Sequence, residues 1–163
     1  MITEEDFVEV YTLHAPKVYK LCLGYASGNQ SLAKDWQQET FMKVWNHRKS
    51  FKNQSSIGTW IYRIAVNVCL SDLRKTKKYE LAKRKTSIEE QDSQEDEYQT
   101  KKITKMYSCI ERLSMQNKTL ILLELEDVPQ ATIAKTMGLA HGAVRTRLTR
   151  IRKTLLKCMN NGQ

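Results

Sequence analysis

The segment from Gln130 to Lys157 restricts the fold more than any other, because two short helical patterns meet there around a glycine. Gly138 directly follows an apolar-periodic segment, where the chain must reverse and a positive φ would strain most other residues. Ala134, four residues earlier, is small enough for two helices to cross closely. The apolar stripe of the second helix then comprises Val144, Leu148, Ile151 and Leu155. We interpret this segment as a helix-turn-helix.

The opposite face of the second helix is cationic and rich in hydrogen-bond donors. Its centre is formed by Gly142, Thr146, Thr149, Arg150 and Lys153, and its flanks by Arg145, Arg147 and Arg152. Such a helix fits the major groove of DNA, where its early residues reach base edges and its later ones phosphates. The alternative is a solvated amphipathic helix rich in arginine. We favour DNA, because a solvated face has no need of Ala134, Gly138 and Val144 in register.

The chain as a whole is basic, with a net charge of +9 and a pI of about 9.4 over 163 residues. This charge favours a polyanionic partner, although a basic protein can also bind an anionic membrane surface. The acidic N-terminus is not followed by a long apolar run, so we expect neither a secretory signal nor a membrane span, and a cytoplasmic protein.

Cysteines and histidines are scattered without the spacing of a ligand set. The four cysteines are Cys22, Cys69, Cys109 and Cys158, and the three histidines are His14, His47 and His141. We expect the cysteines to be buried or incidental thiols rather than a disulfide frame, and we expect no metal and no cofactor. An enzyme is not indicated, because no nucleophile–base pair or phosphate-binding glycine loop occurs.

Charge divides the chain into three parts. Residues 1–78 carry +5, residues 79–100 carry −4 and residues 101–163 carry +8. The middle part is polar and nearly free of apolar residues, so it cannot bury a core of its own. We predict an acidic, flexible linker between two small helical domains. No useful strand-like alternation appears, so the fold class is all-α.

The first domain reads as helices separated by polar turns. Thr3 is a candidate N-cap, and Pro16 is expected to kink or break the first helix. A turn at 27–31 leads to a second helix over 32–47, and the apolar stripe of a third comprises Ile57, Ile61, Ile64, Ala65 and Val68.

A second stripe on the third helix is aromatic and polar: Trp60, Arg63, Asn67, Ser71 and Arg74. Such a face suits single-stranded DNA, since rings stack on bases while polar and cationic groups bind base edges and the backbone. Trp60 and Arg63 could equally form a partly buried packing pair.

Several motifs in order then make the chain resemble a bacterial sigma factor of the extracytoplasmic-function group, with a region 2 and a region 4 domain. The Gln-Glu-Thr-Phe pattern of that family is met at 38–41, and Val-Trp at 44–45. Its Thr-Trp-Leu-Tyr-Arg-Ile-Ala-x-Asn pattern is met by TWIYRIAVN at 59–67, and Gly-Thr-Val-Lys-Ser-Arg-Leu by GAVRTRL at 142–148.

The resemblance implies roles for three sets of residues. The β′ clamp helices of core RNA polymerase would bind Asp35, Gln38, Glu39, Phe41 and Trp45. The melted non-template strand of the minus-ten element would be bound by Lys52, Asn53, Trp60, Arg63, Asn67 and Arg74. The duplex minus-thirty-five element would be read by Arg145, Thr146, Arg147, Thr149 and Arg150. The resemblance also implies contact with the polymerase β flap, and places the acidic linker near the channels of the polymerase.

The chain departs from the family pattern at three places. Pro129 and Gln130 replace the usual Ser cap before the helix-turn-helix, Ile57 and Gly58 replace bulky or basic residues, and Trp36 replaces an aliphatic. With no further domain after Lys157, we expect regulation by a separate anti-sigma protein or by expression level. Two other hypotheses are a stand-alone helix-turn-helix regulator, which would need a symmetric dimer, and a basic helical interaction protein.

Overall fold

The computed structural model describes residues 1–80 and 97–161. For residues 77–80 it describes the backbone only. Within these ranges the chain forms α-helices and one 3-10 helix, without a strand, which confirms the predicted all-α class. The helices are α1 (Glu4–Tyr25), α2 (Gln30–His47), a 3-10 helix (Arg48–Ser50), α3 (Ile57–Glu80), α4 (Glu97–Glu111), α5 (Met115–Leu125), α6 (Gln130–Met137) and α7 (His141–Asn160).

These helices divide into two compact units. Unit 1 is Met1–Ser87 and contains α1 to α3, whereas unit 2 is Ile88–Gln163 and contains α4 to α7. Most of the predicted linker at 79–100 lies outside the described residues. Its first two residues belong to α3 and its last four to α4, so helix extends further at both edges than the composition suggested.

The first helix begins with a capping box. The Thr3 hydroxyl accepts from the backbone N–H of Asp6 at 3.1 Å, and the Asp6 carboxylate accepts from the N–H of Thr3 at 2.9 Å. Hydrogen bonding by the side chain and by the backbone N–H of Thr3 holds the pKa of the Asp6 carboxyl below its usual value. The predicted N-cap is confirmed, and it satisfies N–H groups that a helix start leaves without partners.

Of the kink or break expected at Pro16, the break does not occur, because α1 continues through the proline to Tyr25. Proline removes one hydrogen bond from the helix interior, at a cost of roughly 3 kcal/mol. Burial on both sides compensates for that loss: Ala15 is 6% exposed and Val18 is 0% exposed. Packing against α2 and α3 therefore overrides the local signal.

The core of unit 1 lies between its three helices. The α3 stripe is buried at Ile61, Ala65 and Val68 and half-buried at Ile57 and Ile64. Trp36 of α2 is 2% exposed, and its indole N–H donates to Asp72 of α3 at 2.9 Å. This bond explains how a tryptophan replaces an aliphatic here, since a buried indole needs an acceptor.

The helix-turn-helix of unit 2 is formed by α6 and α7, and α5 packs against both. Gly138 ends α6 in the left-handed region with φ 68°, and Leu139 donates to the Ala134 carbonyl at 2.9 Å. Ala134 is 5% exposed, and the α7 stripe is buried at Val144, Leu148 and Ile151. The turn residue, the small residue at the crossing and most of the stripe are thus as predicted, while Leu155 is only half-buried.

The expectation that every cysteine is a thiol is wrong. Cys109 of α4 and Cys158 of α7 form a disulfide, and 49 residues of sequence separate them. Their pairing depends on how α4 packs on α7, which the spacing of cysteines along the chain does not reveal. Cys22 and Cys69 are buried thiols, as expected.

Candidate nucleic-acid and partner interfaces

The outer face of α7 presents the residues expected to read duplex DNA. Arg145, Thr146, Thr149 and Arg150 are all exposed. The Thr146 hydroxyl donates to the Gly142 carbonyl, and the Thr149 hydroxyl to the Arg145 carbonyl, each at 3.0 Å. Both hydroxyl protons are used within the helix, so towards a ligand these threonines offer oxygen lone pairs and methyl groups. The two arginines supply the donors of this face.

Two of the three flanking arginines of α7, Arg147 and Arg152, contact side chains of α5. Arg147 donates to Gln116, and the Arg152 Nε donates to Glu124 at 3.1 Å. Arg152 also forms an ion pair with Glu124 through its Nη2. Sequence periodicity placed these arginines beside the DNA face, and the structure shows that they also fasten α7 to the helix beneath it.

The start of the helix-turn-helix has no side-chain cap. Pro129 is the N-cap of α6, and Ala140 is the N-cap of α7, and neither makes a capping hydrogen bond with its side chain. At the start of α6, therefore, no side-chain hydrogen bond takes the place of the Ser cap that this sequence lacks.

The polar face of α3 exposes Arg63, Asn67, Ser71 and Arg74. Trp60 is half-buried, and its ring lies 4.9 Å from the ring of Phe51. Phe51 is 9% exposed and belongs to the loop that precedes α3. Trp60 thus packs against Phe51 and retains an exposed surface, while Arg63, its partner in the packing alternative, is exposed.

The loop at 51–56 is fixed at both ends. On one side the Ile2 N–H donates to the Arg48 carbonyl at 3.1 Å, and on the other the Ser56 hydroxyl accepts from the Thr59 N–H at 3.2 Å. Between them Lys52 and Asn53 are exposed, and Asn53 has a positive φ of 53°. The loop thus presents these two side chains from an ordered base.

Gly58, one of the departures from the family pattern, lies close to a histidine. A Cβ at Gly58 would be 3.4 Å from Cε1 of His14 and 3.6 Å from Tyr62. Burial lowers the pKa of His14, and the nearby charge of Lys17 lowers it further. A neutral imidazole packed beside α3 fits this site, and a larger residue at position 58 would press on it.

An aromatic groove of about 610 Å³ runs between α1 and α2. Its walls are Phe7, Tyr11, Lys34, Gln37, Gln38, Phe41, Met42, Trp45 and Asn46. Ring centroids lie 4.9 Å apart for Phe7 and Trp45 and 4.8 Å apart for Tyr11 and Phe41. The family resemblance implied the α2 residues of this surface, whereas Phe7 and Tyr11 of α1 were not predicted there.

The five residues expected to bind polymerase fall into two groups, three in the groove and two outside it. Gln38, Phe41 and Trp45 line the groove, and Phe41 is only 4% exposed. Asp35 and Glu39 are exposed on α2 outside the groove, and Glu39 lies 3.6 Å from Lys43 in an ion pair. Arg48 lies over the Trp45 ring, with its guanidinium carbon 3.7 Å from the centroid.

The described residues form neither a metal-ligand cluster nor a membrane-spanning helix. In residues 1–80 and 97–161, no group of three His, Cys, Asp or Glu side chains is placed to hold a metal ion. Among the same helices, none is long and apolar enough to cross a membrane.

Each of the two units is similar to a region of known proteins. The family profiles described as Sigma-70 region 2 and Sigma-70, region 4 match residues 10–79 and 103–155. RNA polymerase sigma factor SigV of Bacillus subtilis is 30% identical over 154 residues, which cover 94% of this chain and 90% of that protein. The ECF RNA polymerase sigma-E factor of Haemophilus influenzae is 30% identical, with coverage of 85% and 79%.

Two solved structures share the fold. The sigma factor RpoE in complex with the anti-sigma factor NepR, from Bartonella quintana, has a TM-score of 0.77 at 22% identity, covering 98% of this chain and 99% of that one. CnrH in complex with the cytosolic domain of CnrY has a TM-score of 0.76 at 17% identity, covering 99% and 92%.

Two helical units, one carrying a helix-turn-helix and the other a polar and aromatic helix face, define a DNA-binding transcription factor. The profiles that match both units decide against a stand-alone regulator and against a general interaction protein. The chain belongs to the sigma-70 family, in the extracytoplasmic-function group. It is a sigma factor, which directs core RNA polymerase to specific promoters and acts in transcription initiation.

Proposed function

We propose that the two units divide promoter recognition between them. Residues 1–78 would bind core polymerase and the minus-ten element, residues 101–163 would bind the minus-thirty-five element, and residues 79–100 would join them. The exposed arginines of α7 carry this proposal, because Arg145 and Arg150 supply donors on the face opposite its buried stripe. Paired donors of this kind suit guanine in the major groove.

In unit 1, the melted non-template strand would bind the α3 face and the preceding loop. Exposed Arg63, Asn67 and Arg74 offer polar and cationic contacts, and Lys52 and Asn53 extend them along the loop. Trp60, braced by Phe51, offers a ring surface for a base. Stacking of this kind is worth roughly 1–3 kcal/mol per base, which helps to keep base pairs open.

The aromatic groove would bind the β′ clamp helices of core polymerase. A groove walled by aromatic rings suits the apolar side of a helix, and the amides of Gln37 and Gln38 and the ammonium of Lys34 supply polar contacts at its walls. Asp35 and Glu39 would contact basic groups beside the groove. Unit 2 would reach the β flap.

The protein would act in the cytoplasm as a non-enzymatic subunit, with an anti-sigma protein as its regulator. The family membership supports this role, and the sigma factor RpoE of Bartonella quintana, which shares the fold, has been solved in complex with the anti-sigma factor NepR. An anti-sigma protein would compete with polymerase or DNA for the surfaces described above.

The test of the helix-turn-helix assignment compares arginines on two sides of α7. Arg145→Ala or Arg150→Ala should cost about 1–3 kcal/mol in binding to the preferred minus-thirty-five sequence and relax specificity there. Quantitative footprinting of the reconstituted holoenzyme on wild-type and altered minus-thirty-five elements measures both effects. Arg152→Ala is the matched control, because Arg152 pairs with Glu124: it should reduce thermal stability and leave the sequence preference unchanged.

If Arg145→Ala and Arg150→Ala weakened binding equally on every sequence, they would be assigned to phosphates rather than to base edges. If Arg152→Ala alone changed the sequence preference, the DNA face would lie on the other flank of α7.

A further inference from the structure

The disulfide of unit 2 joins the helix that carries the proposed DNA face to the first helix of the unit. Cys109 lies on α4 and Cys158 near the end of α7, with their Cα atoms 6.0 Å apart. The segment between them, residues 110–157, includes all of α5 and α6 and most of α7. The bond therefore closes a loop around the whole helix-turn-helix.

The α4 helix is held by the disulfide, by limited apolar burial and by an ion pair between its Glu111 and Lys118 of α5 at 2.7 Å. All of α4 lies in the described part of the chain, and two of its side chains are buried: Cys109 itself and Ile110. At the other side of the contact, Leu155 is half-buried and Leu156 is 62% exposed. Because few apolar side chains are fully buried where α4 meets the end of α7, the disulfide is the covalent part of that contact, and its loss should loosen the end of α7.

The two sulfurs differ in their access to a reactant. Cys109 is 2% exposed, whereas Cys158 is half-buried and its Sγ lies 3.9 Å from the Arg112 guanidinium. In the reduced protein a guanidinium beside a sulfur favours the thiolate, which is the form that attacks disulfides. The accessible Cys158 is thus suited to attack first and the buried Cys109 to displace the leaving group.

The other cysteine pair is built differently. The sulfurs of Cys22 and Cys69 lie 3.6 Å apart, both residues are 0% exposed, and both remain thiols. The hydrogen bond to Cys22 and burial raise the pKa of the Cys69 thiol, so the reactive thiolate is disfavoured. Two cysteines close in space are therefore not sufficient for exchange, and this pair serves as an internal control.

We propose that Cys109 and Cys158 form a reversible redox switch, in which the disulfide fixes α7 for minus-thirty-five binding and its reduction weakens that binding. The inference rests on the proposed role of α7. Oxidation would use a low-molecular-weight disulfide. The Cys158 thiolate attacks one of its sulfurs and releases one thiolate, and the Cys109 thiolate then attacks Cys158 and releases the second. Two protein thiols and one small disulfide thus give one protein disulfide and two small thiols.

The first experiment follows the bond itself in the full-length protein. The protein is equilibrated with oxidised glutathione or with dithiothreitol, alkylated and analysed by mass spectrometry, and its unfolding is followed by calorimetry. We expect two cysteines to become protected on oxidation, at positions 109 and 158, and the melting transition of unit 2 to fall by roughly 10 °C or more on reduction. Protection of Cys22 and Cys69 instead, or of no cysteine, would overturn the proposal.

The second experiment measures the consequence in the holoenzyme. We expect the reduced wild-type protein to protect the minus-thirty-five element of a promoter fragment at least about fivefold more weakly than the oxidised protein. The variant C109S/C158S should match the reduced protein and ignore dithiothreitol, and C22S/C69S should respond as the wild type does. The wild-type comparison needs no substitution, so it holds even if a variant folds poorly.

The outcomes distinguish a failure of the redox switch from a failure of the proposed minus-thirty-five binding by α7. A bond that forms and breaks while minus-thirty-five protection stays constant would overturn the switch and leave the proposed function intact. Absence of minus-thirty-five protection in both redox states would overturn the proposed function, and the switch with it.

Discussion

Trp36 stabilises unit 1 both by its size and by its hydrogen bond. Trp36 fills a core position with a large ring, and its indole N–H finds an acceptor in Asp72 on the neighbouring helix at 2.9 Å. A hydrogen bond to a charged group contributes about 1.5–3 kcal/mol. Because the bond crosses from α2 to α3, it also fixes the register of the helix that carries the proposed minus-ten face.

Trp36→Phe should lower the free energy of unfolding of unit 1 by about 2–3 kcal/mol through the lost bond and volume. Asp72→Asn keeps an acceptor oxygen and should cost less. The three tryptophans, Trp36, Trp45 and Trp60, all belong to unit 1, so tryptophan fluorescence during urea unfolding reports on this unit alone. The double variant should cost less than the sum of the two single changes; strict additivity would show that the two side chains do not interact.

The arginines of α7 show where sequence reasoning succeeds and where it ends. A period of 3.6 residues places Val144 inside and Arg145 and Arg150 outside, and the structure agrees. The same period cannot show that Arg147 and Arg152 contact α5, since their partners lie 31 and 28 residues earlier in the chain. Only the packing of α5 against α7 brings these groups together.

At the scale of helices, surfaces made by two elements were the hardest to predict. The family resemblance implied Gln38, Phe41 and Trp45 on α2, yet the groove is also lined by Phe7 and Tyr11 from α1. The Cys109–Cys158 bond was missed for the same reason, as it joins α4 to α7. The helix does not break at Pro16, because burial along α1 outweighs the local cost of proline.

Met42→Lys tests the groove as a docking surface. Met42 lines the groove and is 59% exposed, so a lysine there should leave the fold intact while placing a charge where an apolar surface must bind. We expect at least about tenfold weaker binding to core polymerase, measured by titrating labelled protein with polymerase.

Leu13→Lys is the matched control, since Leu13 is 67% exposed on α1 and does not line the groove. It should bind polymerase as the wild type does. Equal effects of the two lysines would show that the groove has no special part in binding, and circular dichroism of both variants checks that the fold is kept.

At the scale of the whole molecule, sequence and structure agree on what the parts are. Composition indicated two basic helical parts with an acidic stretch between them, and the structure has two all-α units with ends of helix reaching into that stretch. Motif order identified the family before any contact was known, and the profiles confirm it. The order of motifs can be read directly along the chain, so the family can be predicted without knowing which helices pack together.

The most direct measurement is run-off transcription with purified core RNA polymerase on fragments of the protein's own genome, including the DNA upstream of its own gene. We predict discrete transcripts that require the protein and that are lost or redirected when Arg145 is replaced by alanine. Their upstream sequences would define the minus-ten and minus-thirty-five elements together. The absence of any dependent transcript, combined with tight and sequence-specific duplex binding by the protein alone, would contradict the role in initiation and indicate a regulator that acts without polymerase.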